Sequence, residues 1–169
     1  ETAAGDYPVE ALRMMVRIAD RTEQDIDYKK RFFRYEKEEQ PDVTDAICHA
    51  TCTTAHDLNA KLIIAPSVSG FTTRMLSKWR PNAQIIGMSP SMEAVRQMQI
   101  YWGVRPFHAK HVDSTDILLY ASIELLRDKE LVDEGDIVVV TAGVLHSAYS
   151  GKRHDPLAST NMMRVVMID

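Results

Sequence analysis

The chain has very little cysteine. Only Cys48 and Cys52 occur in 169 residues, four positions apart in a helical pattern. Side chains at i and i+4 leave a helix nearly parallel, so a disulfide between them is geometrically poor. Two free thiols suit a reducing compartment, and a cytoplasmic location is expected. A surplus of one charge is also missing. Lys and Arg number 20 against 24 Asp and Glu, a formal net charge of −4. There is no global basic field to draw in nucleic acid or an acidic membrane, and neither is expected as a partner. No apolar run approaches the ~20 residues of a membrane-spanning helix. The start, Glu1-Thr2-Ala3-Ala4-Gly5, has no basic region before an apolar stretch, so no secretory leader is expected. It also lacks an initiating Met, which is expected of a piece cut from something longer. Two catalytic signatures are absent: G-x-x-x-x-G-K-[ST] for nucleoside triphosphates and G-x-S-x-G for a serine nucleophile.

What remains is ordinary for a folded protein, with 45% hydrophobic and 26% charged residues. The length suits one domain with an appendage. Asp6-Tyr7-Pro8 opens a helix whose Val9, Leu12, Met15, Val16 and Ala19 recur at helical spacing to about Asp27. That stripe needs a surface to cover. Residues 28–42 are charged and aromatic without a clear period and read as a linker, with Phe32, Phe33 and Tyr35 available to pin it. Thr44 is the expected cap of a helix over 45–60, with Ile47, Ala50, Thr51, Thr54, Ala55 and Leu58 on one face. The pattern then alternates. Strands are expected near 62–66, 84–88, 103–107, 136–142 and 163–168, and helices near 71–79, 91–101 and 114–130. Such alternation means an α/β fold: a three-layer, mostly parallel five-stranded sheet with helices on both faces. No helical period separates the last two strands, so the last strand is expected to return antiparallel.

The segment of greatest interest runs from Leu62 to Pro81. Strand, hydroxyl-rich turn and helix start follow one another, with Ser67, Ser69, Gly70, Phe71, Thr72 and Thr73 at the junction. Free backbone N–H groups and the helix dipole favour an anion there, and Gly70 allows close backbone approach. Arg74 and Lys78 follow on the helix. The same residues also fit a plain N-cap, in which hydroxyls satisfy the helix start unaided. A second long segment, Gly143 to Asn161, leaves another strand and carries Lys152, Arg153, His154, Ser159 and Thr160. In α/β sheets, ligands sit beyond the carboxyl ends of parallel strands, so the two segments are expected to face one cleft.

Other constellations are weaker. Cys48, Cys52 and His56 fall at i, i+4 and i+8, but one straight helix cannot surround a metal, and small side chains packing on a sheet is the better reading. Asp113 and Asp116 are expected to cap a helix. Met88, Met92, Met98, Met162, Met163 and Met167 are expected to be pliable core. No catalytic residue and no metal ligand is assigned.

Several separated motifs resemble one family in order and spacing. They are Glu1-Thr2-Ala3 with Gly5-Asp6-Tyr7-Pro8-Val9-Glu10-Ala11; Ala60-Lys61-Leu62-Ile63 through Ser69-Gly70, with Ser77-Lys78-Trp79-Arg80-Pro81 and Ile85-Ile86; and Gly135-Asp136-Ile137-Val138-Val139-Val140-Thr141-Ala142-Gly143, followed by Thr160-Asn161 and Arg164-Val165-Val166. Together they resemble the C-terminal part of pyruvate kinase across nearly the whole chain. The resemblance implies three parts: residues 1–28 as the final helix region of a catalytic barrel, 29–42 as a linker, and 43–169 as a regulatory α/β domain. It implies a parent enzyme that moves a phosphoryl group from phosphoenolpyruvate to ADP, using Mg²⁺ and K⁺ held upstream of Glu1, so that this piece alone is inactive. It implies partners as well: the enzyme's own barrel, neighbouring copies in a tetramer, and a phosphorylated effector. The effector phosphate falls on Ser67, Ser69, Gly70, Phe71 and Thr72, and the effector loop on Lys152, Arg153, Ser159 and Thr160. Val68 stands where some fructose-bisphosphate-activated members carry lysine, and the tryptophan and arginine that grip a second phosphate have no counterpart around Val112 to Leu119. A monophosphate, a sugar phosphate or AMP, is therefore expected, although Lys152 and Arg153 could restore a second grip. A purely structural, oligomerising domain is the alternative.

Overall fold

The computed structural model describes residues 1–34, 41–112, 114–143 and 160–169. Three helices come first: α1 (Pro8–Glu23), α2 (Tyr28–Arg34) and α3 (Val43–Asp57). An alternating series follows: β1 (Leu62–Pro66), α4 (Phe71–Trp79), β2 (Gln84–Ser89), α5 (Met92–Met98), β3 (Val104–His108), α6 (Thr115–Asp128), β4 (Ile137–Ala142) and β5 (Met162–Met167). The five strands form one sheet in the order β3-β2-β1-β4-β5. Pairings are parallel up to β4, and β5 returns antiparallel on β4, with Val139 opposite Val165 and Ala142 opposite Met162. The expected α/β architecture is therefore the one adopted.

β-branched runs make the central strands. Ile63, Ile64, Ile85, Ile86, Val138 and Val139 are fully enclosed, as strands covered on both faces must be. Alternate residues feed two cores. Ile63, Ala65, Ile85 and Val139 pack with Cys48, Cys52, Ala55, Leu76 and Trp79 of α3 and α4. On the opposite face, Leu62, Ile64, Ile86, Val138 and Val140 pack with Leu126 of α6. Gly87 of β2 has no room for a side chain. A Cβ there would meet Met98 Sδ at 2.6 Å and Thr73 Cγ2 at 3.1 Å, so α4 and α5 close on the sheet at that point.

Several local expectations are corrected. Residues 28–34 form helix α2 rather than an irregular linker, because Tyr28 and Phe32, one turn apart, meet aromatic partners that only tertiary folding supplies. Asp42, not Thr44, caps α3: its carboxylate accepts from Asp45 N at 2.7 Å. The buried face of α3 is Thr44, Asp45, Cys48, Thr51, Cys52 and Ala55, while Leu58 is exposed. The face is rotated from the expected one because the buried Asp45 pairs with Lys78 Nζ of α4 at 3.4 Å. Ser114 is the α6 N-cap, with no side-chain cap bond, and Asp116 instead pairs with Arg164 at 3.2 Å. Met88 and Met98 are core, whereas Met92 and Met167 are exposed. Phe32 is buried as expected of a pin, and Tyr35 lies outside the described residues.

Helix α1 buries no residue at all. Val9, Leu12, Met15 and Val16 all remain exposed, so the stripe does not dock on this chain's own core. Among the described residues, no helix is long and apolar enough to cross a membrane.

Candidate functional site: the β1–α4 turn at the sheet's switch point

Strand order reverses between β1 and β4, since β2 and β3 extend to one side and β4 and β5 to the other. That reversal opens a crevice at the carboxyl ends of β1 and β4, the usual ligand position in an open α/β sheet. β1 ends at Pro66, and the turn Ser67–Gly70 leads directly into α4. Two bonds to β2 fix the turn: Ser67 N donates to Met88 O at 2.8 Å, and Ser89 Oγ donates to Val68 O at 2.8 Å. Ser89, fully buried, was not expected in this role. Its only signal was a serine at the carboxyl end of a neighbouring strand.

Gly70 is the N-cap of α4 and adopts the left-handed region, φ 76°. A side chain there would be strained and would place its Cβ 3.0 Å from Met98 Cγ. Its cap position makes no side-chain hydrogen bond. Glycine has no side chain with which to cap, so the positive dipole end of α4 is not offset by its own N-cap residue.

The hydroxyls divide by burial. Ser67 is half-buried and Ser69 exposed, while Thr72 and Thr73 are buried. Thr72 Oγ1 and Thr160 Oγ1 lie 2.6 Å apart and share a hydrogen bond across 88 residues of sequence. Thr160 itself is 1% exposed. The structure thus brings together one residue from each of the two segments expected to share a cleft. Lys152, Arg153 and Ser159 lie outside the described residues. Thr73 Oγ1 points into the packed interior beside Gly87 and has no hydrogen-bond partner. Arg74 is exposed, with its guanidinium 5.4 Å from the Phe71 ring. Lys78 sits two turns further on, engaged with Asp45, and is not part of the turn.

The crevice behind the turn, lined by Pro66, Thr115, Val140, Ala142, Met162 and Arg164, is narrow at about 20 Å³. That is room for roughly one water, so a metabolite would have to lie on the open side of the turn.

The two free thiols are buried, which disfavours their thiolate forms. Burial pushes Cys48 up to about 12, reinforced by Asp45 and Asp42, and raises Cys52 well above the ordinary range. Among the described residues, no grouping of three or more His, Cys, Asp or Glu could hold a metal ion.

A mostly parallel sheet covered on both faces, with its last strand antiparallel, defines an α/β domain. Residues 45–166 match the family model described as pyruvate kinase, alpha/beta domain, and the chain belongs to that family. It is 39% identical over 168 residues to a pyruvate kinase of Geobacillus stearothermophilus, covering 99% of this chain and 27% of that protein. It is 37% identical over 169 residues to a pyruvate kinase of Clostridium acetobutylicum, covering all of this chain and 34% of that one. The chain therefore spans about a quarter to a third of these relatives. Among solved structures, it is similar to a Cryptosporidium parvum pyruvate kinase in complex with ADP, with TM-score 0.80 and 29% identity over 100% of this chain and 33% of that one. A second crystal structure of pyruvate kinase from that organism gives TM-score 0.83 at 27% identity.

Proposed function

We propose that this chain is the C-terminal regulatory domain of a cytoplasmic pyruvate kinase and holds a phosphorylated metabolite at Ser67, Ser69, Gly70, Phe71 and Thr72. The parent would transfer phosphoryl from phosphoenolpyruvate to ADP with Mg²⁺ and K⁺. The catalytic groups would lie upstream of Glu1, leaving this piece inactive alone. Residues 1–28 would belong to the barrel, 29–42 to the linker and 43–169 to the regulatory domain.

The observation that carries the effector reading is the glycine-started helix α4 at the carboxyl end of β1, with Thr72 on its first turn joined to Thr160 of the second segment. If Thr160 donates to Thr72, the Thr72 proton is free to donate onward to a phosphate oxygen. Thr160 then acts as a positioning residue that sets the rotamer of a ligand-facing hydroxyl. Val68, 60% exposed in the turn, adds no charge, which favours a single phosphate from a sugar monophosphate or AMP.

Calorimetry of the chain against AMP, ribose 5-phosphate, glucose 6-phosphate and fructose 1,6-bisphosphate tests this. A monophosphate is expected to give heat. Ser69→Asp, which puts a carboxylate at the helix start, is expected to weaken that binding at least tenfold, about 1.4 kcal/mol. No heat with any ligand would leave the structural role. The exposed stripe of α1 supports that second reading, because so much apolar surface calls for a cover, here the parent's barrel or a neighbouring copy.

A further inference from the structure

Among the described residues, helix α2 meets the α/β domain through two rings, Tyr28 and Phe32. Phe32 is 3% exposed and sits in a cage of three side chains. The His49 ring stacks on it at 5.1 Å, His56 approaches at 5.0 Å with the planes tilted by 55°, and Trp79 lies at 5.8 Å. One turn earlier, Tyr28 contacts Trp102 at 5.5 Å. The other α2 residues whose side chains are described, Lys29, Lys30, Arg31 and Arg34, are exposed. α1 buries nothing. Phe32 is thus the buried side chain among those described in α2, and the cage encloses it.

The wall of the cage contains a titratable group whose charged form burial disfavours. His56 Nε2 is enclosed and has no hydrogen-bond partner. Burial is the first cause that holds its pKa below the ordinary 6.5, and Lys29 of α2 is the second. Asp57, next to it on α3, opposes them. The remaining neighbours give little help. Cys52, one turn back, is a buried neutral thiol. His49 is the other imidazole on the Phe32 ring, and Lys78 of α4 is engaged with Asp45. A proton on Nε2 would place a cation in an enclosed aromatic site and opposite an ammonium carried by the docked helix.

We infer that the Phe32 cage is a proton-operated latch: neutral His56 accepts Phe32 and holds α2, and protonated His56 releases α2 and α1 from the α/β domain. The direction follows from linkage. The docked Phe32 ring and Lys29 add to the burial and repulsion that hold the His56 pKa below 6.5, so this contribution to docking is present above 6.5 and weakens as pH falls below it. Each pH unit in which only the undocked form binds the proton reduces the docking equilibrium by up to about tenfold.

Amide hydrogen exchange of the chain at pH 8 and pH 5, corrected for intrinsic rates, tests the latch. Protection across Tyr28–Arg34 is expected to fall at least severalfold at pH 5, with β1, β2 and β4 amides still protected. His56→Leu, which keeps an apolar wall without a titrating group, is expected to retain α2 protection at both pH values. Phe32→Ala is expected to lose it at both, with the sheet intact. Equal α2 protection in the parent chain at the two pH values would overturn the proposal. So would an acid loss that persists in His56→Leu, or full α2 protection in Phe32→Ala.

Discussion

Helices α1 and α4 are both amphipathic, and they have opposite fates in this chain. α4 places Thr72, Thr73, Leu76, Ser77 and Trp79 inside, with Leu76 fully enclosed between α3 and the sheet. α1 presents Val9, Leu12, Met15 and Val16 at regular helical spacing and encloses none of them. Burying one such side chain is worth about 1.5–3 kcal/mol, so the α1 stripe forgoes several times that amount here. An apolar stripe states that a helix needs a surface. Which surface it meets is settled by connectivity. α4 lies between two strands of one sheet and is delivered onto it. α1 precedes the sheet, and among the described residues it buries no side chain against a strand.

The comparison makes quantitative demands. Leu76→Ala is expected to have the largest effect, about 2–5 kcal/mol lost by urea denaturation, because a fully enclosed leucine leaves a cavity when truncated. Gly70→Ala is expected to cost about 1–3 kcal/mol, combining left-handed backbone strain with the contact on Met98. It should also reduce phosphate-ligand binding, since the helix start would shift. Leu12→Ala is expected to change stability by no more than about 0.5 kcal/mol, as for an exposed position. A Leu12→Ala cost approaching that of Leu76→Ala would break the comparison. It would show that a second copy covers α1 in solution, and sedimentation at several concentrations would identify it.

Much of the α/β half was legible in the residues. β1 and α4 fall where apolar run, Pro66 and hydroxyl-rich turn place them. The antiparallel return of β5 followed from the missing helical period before it. Those features are local, and periodicity reports local features well. α2 was not legible because its period is carried by two aromatic residues alone, and their partners, Trp102, His49, His56 and Trp79, lie 17 to 74 positions away in sequence. The rotated face of α3 was hidden for the same reason: a buried Asp45 is readable only once Lys78 is beside it. At the candidate site, the turn itself was visible. Its anchor on Ser89 and the side-chain pair Thr72–Thr160 were not.

The amino-acid order thus decided the elements, their alternation and the family, since strand and helix periods and turn chemistry act over a few residues. Folding in three dimensions decided which hydroxyls are spent on structure and which remain open. Ser89 is committed to Val68, Thr72 meets Thr160, and Thr73 turns inward. It also decided that α2 is pinned by Tyr28 and Phe32 while α1 is left uncovered. Burial and partner geometry depend on residues brought together from distant positions, and no short stretch of the chain contains both members of those contacts.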